Sequence, residues 1–172
     1  MKTTNELVLF YGRSEFYSNW HATGFRMYGL PFANGEQFMM YCKAMTFGDE
    51  VVMAKILKES DPAKVKALGR MVQPYDDEKW AAVRLNLVQR GLLEKARTHP
   101  AIAQALLATG TRLLVEASPW DKIWGIGLKE TDPRALNPAQ WQGLNLLGQA
   151  WMWVRQELHT TIATQAVQTD LF

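Results

Sequence analysis

Helix start and stop signals recur at short intervals through the middle of this chain, and they constrain its fold more than any other feature. Asn34 is a typical N-cap, and the apolar segment that follows it ends at Gly48. The triplet Ser-Asp-Pro at 60–62 begins another segment, which ends at Gly69. A chain punctuated in this way is expected to fold as a series of short helices over much of its length.

The same signals divide most of the sequence into helical segments. A capping box supports the first of them, because Gln37 stands three residues after the cap at Asn34. The predicted helices cover residues 35–48, 49–58, 61–69, 76–97, 99–109 and 141–159. The remaining tail, residues 160–172, is expected to be flexible, as chain ends usually are.

Shorter apolar stretches are predicted as β-structure. Residues 7–11 (Leu-Val-Leu-Phe-Tyr) and 113–116 (Leu-Leu-Val-Glu) are typical of short buried strands. Glycine and proline among apolar residues at 23–34 indicate a small hairpin and a loop. Residues 118–138 are rich in Gly, Pro, Asp and Trp and are predicted to form a long ordered loop. We therefore expect one α+β domain over 1–172, predominantly α-helical with a few short strands.

The charge balance argues against a partner recognised by electrostatics alone. The 172 residues include 19 Lys and Arg against 17 Asp and Glu, which gives a formal net charge of +2. This charge is too small to indicate an extended nucleic-acid or membrane surface. Hydrophobic residues make up 48% of the chain, as in ordinary soluble proteins that bury a core.

Common targeting and ligand motifs are absent from the sequence. There is no secretory signal and no apolar run of about 20 residues, so no membrane segment is predicted and a cytoplasmic location is expected. Cys42 is the only cysteine, which excludes an internal disulfide. The three histidines lack zinc-ligand spacing, and no glycine-rich phosphate loop is found. We expect a monomer that uses no metal and no cofactor.

An acid and an amine on the first predicted helix are the main candidates for chemistry. Glu36 and Lys43 stand seven residues apart, so they share one helix face, with Cα atoms roughly 10 Å apart along the axis. That spacing suits two side chains that approach a small ligand from either end, for acid–base or imine chemistry. The alternatives are a Glu that only stabilises the first turn and a Lys that only extends to solvent.

A second group of candidates lies near the last predicted strand and helix. Glu116 and Asp121 are carboxylates close to Trp124, and Gly125 would allow a ligand to approach the backbone. A purely structural turn is the alternative. On the last helix, polar Asn145 and small Gly148 suggest the wall of a cleft.

Other polar and aromatic residues are candidates for substrate contacts. Arg13 follows the first strand and Arg70 follows a helix end, and either guanidinium could bind a phosphate unless it is simply solvated. Trp80 could stack on a base or a sugar, or pack in the core. Cys42 is expected to be a core thiol.

Seven stretches, in order and with matching gaps, resemble the NADAR family, also called YbiA-like. They are residues 16–20 (Phe-Tyr-Ser-Asn-Trp), 35–44 (Gly-Glu-Gln-Phe-Met-Met-Tyr-Cys-Lys-Ala), 66–70 (Lys-Ala-Leu-Gly-Arg), Trp80 with Arg84, 106–110 (Leu-Leu-Ala-Thr-Gly), 116–127 (Glu-Ala-Ser-Pro-Trp-Asp-Lys-Ile-Trp-Gly-Ile-Gly) and 143–148 (Gly-Leu-Asn-Leu-Leu-Gly). The resemblance covers about 8–158. Two departures stand out: Trp20 replaces the usual Phe, and Lys-Ala-Arg at 95–97 replaces a commoner Lys-Phe pattern.

The resemblance implies an N-glycosidase with a YbiA-like α+β fold. Its substrate would carry a (phospho)ribosyl or ADP-ribosyl group on an exocyclic amine of a base. Two such substrates are riboflavin-pathway ribosylamines and ADP-ribosylated guanine in a nucleotide or nucleic acid. A non-catalytic ADP-ribose or NAD-binding module is the alternative function.

The resemblance also suggests roles for the candidate residues. Lys43 would form a Schiff base with C1 of the sugar, while Glu36 and Asp121 would move protons or position the ribose. A direct oxocarbenium route is the competing mechanism. Substrate contacts would come from Arg13, Asn19, Arg70, Trp80, Glu116, Trp124, Gly125, Asn145 and Gly148.

Overall fold

The computed structural model describes residues 1–169, with side chains described through residue 164. Its strands are β1 (Lys2–Thr3), β2 (Leu7–Phe10), β3 (Phe25–Met27), β4 (Leu30–Phe32) and β5 (Leu113–Glu116). Its helices are α1 (Gly35–Phe47), α2 (Glu50–Leu57), α3 (Pro62–Gly69), α4 (Asp77–Thr98), α5 (Pro100–Leu107) and α6 (Leu146–Thr169). Short 3₁₀ turns occupy Pro133–Leu136 and Pro138–Gln140. The predicted α+β, mainly helical fold class is confirmed.

Contacts along the chain divide it into two compact units. The central unit is Gly12–Thr98, and the terminal unit combines Met1–Tyr11 with His99–Phe172. Of the terminal unit, residues 170–172 lie outside the described part of the chain. The domain boundaries predicted from the sequence stay a prediction.

Helix α1 is the centre of the central unit and packs against α2, α3 and α4. Its N-terminus is capped as predicted, because the Asn34 side chain accepts a hydrogen bond from the Gln37 backbone N–H at 2.9 Å. The Gln37 side chain does not complete the expected box. Its oxygen accepts from the Ala33 N–H, and its amide donates to the carbonyls of Ile56 and Glu59. Gln37 therefore joins the start of α1 to the end of α2.

Close approach to its neighbours explains why α1 is so deeply buried. Gly69 of α3 lies against Met40, and Gly91 of α4 lies against Phe38, and neither glycine has room for a Cβ. The Phe38 ring also packs edge-on against Phe32, with ring centroids 5.2 Å apart. These contacts fix the helix that carries Glu36 and Lys43.

A three-stranded sheet with strand order β1-β2-β5 organises the terminal unit. β2 and β5 are parallel, with Leu7 opposite Leu113 and Phe10 opposite Glu116, and β1 is antiparallel to β2. Helix α6 packs against β5 and α5. Buried apolar side chains from β2, β5 and the loop after β5 form one core cluster, which includes Leu9, Val115 and Ile126.

The predicted bounds of the last helix, 141–159, are wrong at both ends. Backbone N–H groups of Gln142, Leu144 and Asn145 donate to carbonyls of residues 122–126, so this stretch pairs with a loop and α6 begins only at Leu146. At its other end, α6 continues through Thr169, so the tail expected to be flexible is helical that far.

None of the helices in the described part of the chain is long and apolar enough to cross a membrane. The expected cytoplasmic location and monomeric state stay predictions.

Candidate active site

Glu36 lies in the first turn of α1 and is only 2% exposed. Its Oε2 accepts a hydrogen bond from the indole Nε1 of Trp20 at 3.1 Å, and its backbone N–H donates to the Asn19 carbonyl at 2.9 Å. Gly35 packs so tightly on Asn19 that a Cβ could not fit. The segment 19–20 therefore fixes the carboxylate in place, at a helix end whose dipole favours negative charge.

Asn19 is buried beside this carboxylate. Its Nδ2 points to Met39 Sδ at 3.9 Å, while its Oδ1 has no hydrogen-bond partner among the described residues. A buried acceptor without a donor costs free energy, so this oxygen suits a ligand that brings a donor. A sugar hydroxyl can supply such a donor, whereas an ionised phosphate offers only acceptors.

Lys43 is half-buried further along α1. Its Nζ donates to the Gly69 carbonyl at 2.8 Å and lies 4.1 Å from the ring centroid of Tyr75. Burial lowers the pKa of this amine, Asp77 opposes the shift, and Arg70 adds to it. The amine is therefore easier to deprotonate than an ordinary lysine, as a nucleophile requires.

Tyr75 links the amine to a carboxylate. Its hydroxyl donates to Asp77 Oδ1 at 2.7 Å. Burial, together with this hydrogen bond to Asp77, raises the pKa of Tyr75 to about 12, so the phenol is protonated at neutral pH. Glu36 and Lys43 thus have separate sets of neighbours, at opposite ends of α1.

Arg13 is exposed, and its guanidinium lies over the Trp20 ring. Both terminal nitrogens of its guanidinium are 3.2 Å from Asp61 Oδ2, and its Cζ is 5.3 Å from the Trp20 ring centroid. A cavity of about 290 Å³ opens beside these residues, lined by Arg13, Trp20, Ala22, Asn34, Ser60, Asp61 and Pro62. The cavity adjoins the indole that holds Glu36, so Arg13 stays a candidate for substrate binding.

Two further predicted residues of the central unit have contrasting positions. Arg70 follows the last turn of α3 and is exposed, close enough to Lys43 to affect its pKa. Trp80 is only 5% exposed on α4, which fits the core-packing alternative better than stacking on a ligand.

In the terminal unit, Asp121 organises the loop after β5. Its Oδ1 accepts from the backbone N–H groups of Ile123 at 2.9 Å and Trp124 at 2.8 Å. A Cβ at Gly125 would lie 2.9 Å from the carbonyls of Glu116 and Asp121, so the turn requires a residue without a side chain. Trp124 is half-buried and Glu116 is buried. These contacts match the structural-turn alternative.

Asn145 and Gly148 connect the strand β5 to the start of α6. Asn145 has a positive φ of 54°, and its side chain accepts from the Glu116 N–H at 3.0 Å and donates to the Leu114 carbonyl at 2.9 Å. Gly148 lies against the Leu114 carbonyl with no room for a Cβ. At the expected cleft wall, Asn145 therefore binds the backbone of β5 and Gly148 packs against it.

The chain is similar to known proteins in both sequence and fold. The sequence matches the NADAR domain family over residues 9–159. The chain belongs to the NADAR domain family. It is 36% identical over 165 residues to an N-glycosidase of Acanthamoeba polyphaga mimivirus, covering 90% of this chain and 97% of that protein.

Two other proteins extend the NADAR comparison. A riboflavin biosynthesis protein of Vibrio vulnificus is 28% identical over 164 residues, covering 94% of this chain and 41% of that protein. The NMR structure of the Escherichia coli protein YbiA has a TM-score of 0.76 at 24% identity, covering 94% of this chain and 90% of that one. The latter likeness shows that this NADAR chain has the YbiA fold.

Two cationic residues of the NADAR domain were missed as candidates. Lys95 is fully buried, its Nζ donates to the Phe16 carbonyl at 2.8 Å, and burial lowers the pKa of its amine to about 7. Arg84 has a buried Nε with no hydrogen-bond partner among the described residues. Both stand at helical spacing from buried Val88 and Gly91, so a cation on the apolar face of α4 was the signal that could have found them.

Metal ligands are not grouped anywhere in the described part of this NADAR chain. No set of three or more His, Cys, Asp or Glu side chains within residues 1–164 could hold an ion. Cys42 is fully buried, and burial raises the pKa of its thiol to about 12, as expected for a core residue.

Proposed function

We propose that this chain hydrolyses the bond between a ribosyl group and an exocyclic amine of a base. The sugar would be a (phospho)ribosyl group, as in riboflavin-pathway ribosylamines, or an ADP-ribosyl group on guanine in nucleic acid. The predicted enzyme class, a hydrolase of N-glycosyl bonds, is confirmed by relatives that are named N-glycosidases. A relative named for riboflavin biosynthesis supports the first of the two substrate classes.

The amine of Lys43 is the observation that carries this proposal. An N-glycoside of an exocyclic amine can open its ribose ring to an imine at C1. The neutral Lys43 amine then adds to C1, and the C1–N bond to the base breaks as the base amine takes a proton and departs. Water adds to the resulting Schiff base and releases the sugar and the free lysine. The lowered pKa of Lys43 supports this route, because only the unprotonated amine can attack.

Glu36 is proposed to hold the ribose hydroxyls or to move protons as the ring opens. Its burial and its hydrogen bond to Trp20 restrict the carboxylate to a narrow range of positions, which is what proton transfer requires. The neighbouring Asn19 oxygen is proposed as a second acceptor for a sugar hydroxyl.

Asp121 is proposed as a second proton carrier or as a ribose-positioning residue. Its Oδ1 accepts two backbone hydrogen bonds, which hold the carboxylate in a fixed position in this loop. The remaining substrate contacts are proposed for Arg13, Arg70, Trp124 and Glu116. Trp80, Gly125, Asn145 and Gly148 are proposed to act by shaping the site rather than by touching the substrate.

Borohydride trapping tests the imine route directly. The protein would be incubated separately with riboflavin-pathway ribosylamines and with DNA containing ADP-ribosylated guanine, and released base and sugar would be measured by mass spectrometry. During turnover, borohydride should add the mass of a reduced sugar to Lys43. Lys43→Ala should lose both the adduct and turnover. The control Lys58→Ala removes an exposed amine at the C-terminal end of α2 and should keep both.

Other outcomes have distinct meanings. An adduct of unchanged yield in Lys43→Ala contradicts the Schiff base at this residue. Turnover that survives loss of the amine favours the oxocarbenium route, in which a carboxylate stabilises the cation and water attacks directly. Ligand binding without release of base by the wild type indicates a non-catalytic ADP-ribose or NAD-binding module.

A further inference from the structure

Arg84 occupies an unusual place on α4, since it lies within the face that packs on α1. The residues of this face recur at intervals of three and four, and they are Asp77, Trp80, Arg84, Val88 and Gly91. Trp80 and Val88 are buried, and Gly91 lies against Phe38 of α1. Arg84, between Trp80 and Val88 on this face, is half-buried, and its Nε is buried.

Two contacts between α4 and α1 fix the level of Arg84 along α1. Near the start of α4, the Nζ of Lys79 is 5.4 Å from the ring centroid of Phe47, at the end of α1. Two-thirds of the way along α4, Gly91 contacts Phe38, near the start of α1. The two helices thus run antiparallel, and Arg84, close to midway between these contacts, lies at the level of Lys43.

One hydrogen-bond donor of the Arg84 side chain has no acceptor among the described residues. Its Nε is buried, and no hydrogen-bond acceptor among the described residues reaches it. Guanidinium groups remain charged at all ordinary pH values, and a buried charged donor without an acceptor costs more free energy than a neutral one. An anion that enters beside Lys43 would supply the missing acceptor.

Charges around Lys43 favour an anionic ligand. Arg70 acts electrostatically on Lys43, and Arg84 on the adjacent Tyr75. Of the nearby carboxylates, Asp77 accepts from the Tyr75 hydroxyl, and Asp76 accepts from the Lys79 backbone N–H at the start of α4. The three cations are Lys43, Arg70 and Arg84. The two carboxylates near them, Asp76 and Asp77, already accept hydrogen bonds.

We propose that Arg84 is a substrate-binding residue that receives the phosphoryl group on C5 of the ribose whose C1 meets Lys43. The inference rests on the proposed function and adds a specificity to it, namely a preference for 5-phosphorylated sugars. Arginine is suited to this task because its planar donors match phosphate oxygens in pairs. A ribosylamine phosphate and an ADP-ribosyl group both carry a phosphoryl group at this position, so the two substrate classes share the contact.

The test compares two substrates that differ only in that phosphate. Steady-state kinetics would be measured for a ribosylamine 5-phosphate and for its dephosphorylated form, in phosphate-free buffer. Arg84→Gln should lower kcat/KM for the phosphorylated substrate at least about tenfold, mainly through KM, and should change the dephosphorylated reaction less than about twofold. Arg84→Lys should restore part of the loss. Arg90→Gln removes an exposed cation of the same helix and should leave both reactions unchanged.

Equal losses for the two substrates would overturn the assignment, as would no loss for either. A separate ADP-ribosylated guanine substrate tells whether the contact extends to a diphosphate, since Arg84→Gln should weaken its cleavage as well.

If Arg84→Gln fails to fold, the wild type still gives an answer by calorimetry. Ribose 5-phosphate should bind at least about tenfold more tightly than ribose, and equal binding contradicts the proposal. Loss of turnover in Lys43→Ala is independent of these results and tests the proposed function alone.

Discussion

The indole Nε1 of Trp20 donates a hydrogen bond to Oε2 of Glu36 across 3.1 Å. A phenylalanine at this position would have no such donor, so Trp20 orients the carboxylate with a contact that its indole alone supplies. A hydrogen bond to a charged group contributes about 1.5–3 kcal/mol, and about 1.4 kcal/mol corresponds to a tenfold change in rate.

Replacing that donor should therefore affect turnover more than folding. We expect Trp20→Phe to lower kcat about tenfold, because the carboxylate loses its orientation while the aromatic packing largely remains. Trp153→Phe, a half-buried substitution on α6, should leave kcat unchanged. Steady-state kinetics with thermal melting checks this, and a Trp20→Phe enzyme with the wild-type kcat would contradict it.

Loss of the Glu36 charge should have a larger effect. Glu36→Gln keeps the size of the side chain, so the protein should fold, but kcat should fall by about 10²–10⁴-fold if this carboxylate transfers a proton. Glu50→Gln provides a matched control, because Glu50 is also the first-turn acid of its helix but is exposed. A Glu36→Gln enzyme that loses less than about threefold in kcat would show that the carboxylate only supports the helix.

The two charged neighbours of Lys43 should move its titration in opposite directions. Arg70 lowers the pKa of the amine and Asp77 raises it, so Arg70→Gln should shift the acidic limb of kcat/KM to higher pH. Asp77→Asn should shift the same limb to lower pH, because the free amine then forms more readily. The measurement is a pH profile of kcat/KM, with Lys58→Gln as a control that removes a more distant cation.

Equal profiles for all of these enzymes would mean that another group controls the acidic limb. A shift in the same direction for Arg70→Gln and Asp77→Asn would mean that the substitutions act through structure instead of charge.

Burial of Lys95 should make stability depend on pH. Burial lowers the pKa of Lys95 from 10.5 to about 7 in the folded chain. Between these values the unfolded chain holds a proton that the folded chain has released, so the free energy of unfolding rises with pH. The slope is at most about 1.4 kcal/mol per pH unit, and the cost of burying the charged amine is complete below about pH 7.

Urea unfolding at several pH values measures this dependence. Relative to Lys95→Met, which cannot titrate, the wild type should gain stability as the pH rises from about 7 to about 9. Lys58→Met should show no such difference from the wild type, because its amine is exposed. A constant difference between wild type and Lys95→Met across this range would contradict the lowered pKa.

Local signals explain why so much of the helical structure could be predicted from the sequence. The cap at Asn34, the positive-φ glycine at Gly48 and the proline at Pro62 act within a few residues of themselves, and the structure places helix ends there. The short apolar stretch at 113–116 is also a local signal, and the strand that it predicts is confirmed as Leu113–Glu116.

Long-range pairing explains the main error. Residues 142–145 were included in the predicted helix although Gly143 and Asn145 are poor helix formers, and N–H groups of this stretch bond to a loop about 20 residues earlier in the chain. Contacts between residues distant in sequence also limited what could be predicted of the candidate site. Periodicity identified Glu36 and Lys43, yet the donor at Trp20 and the buried nitrogen of Arg84 depend on neighbours distant in sequence.

The parallel pairing of β2 with β5 has a consequence for biosynthesis. Leu7–Phe10 is synthesised before the central unit, but its parallel partner, Leu113–Glu116, follows only after the whole of Gly12–Thr98 has been made. During that interval β2 lacks its parallel partner, and the core cluster that buries Leu7 and Leu9 beside Val115 is incomplete. The central unit can assemble first, so its helices are in place before the sheet is complete.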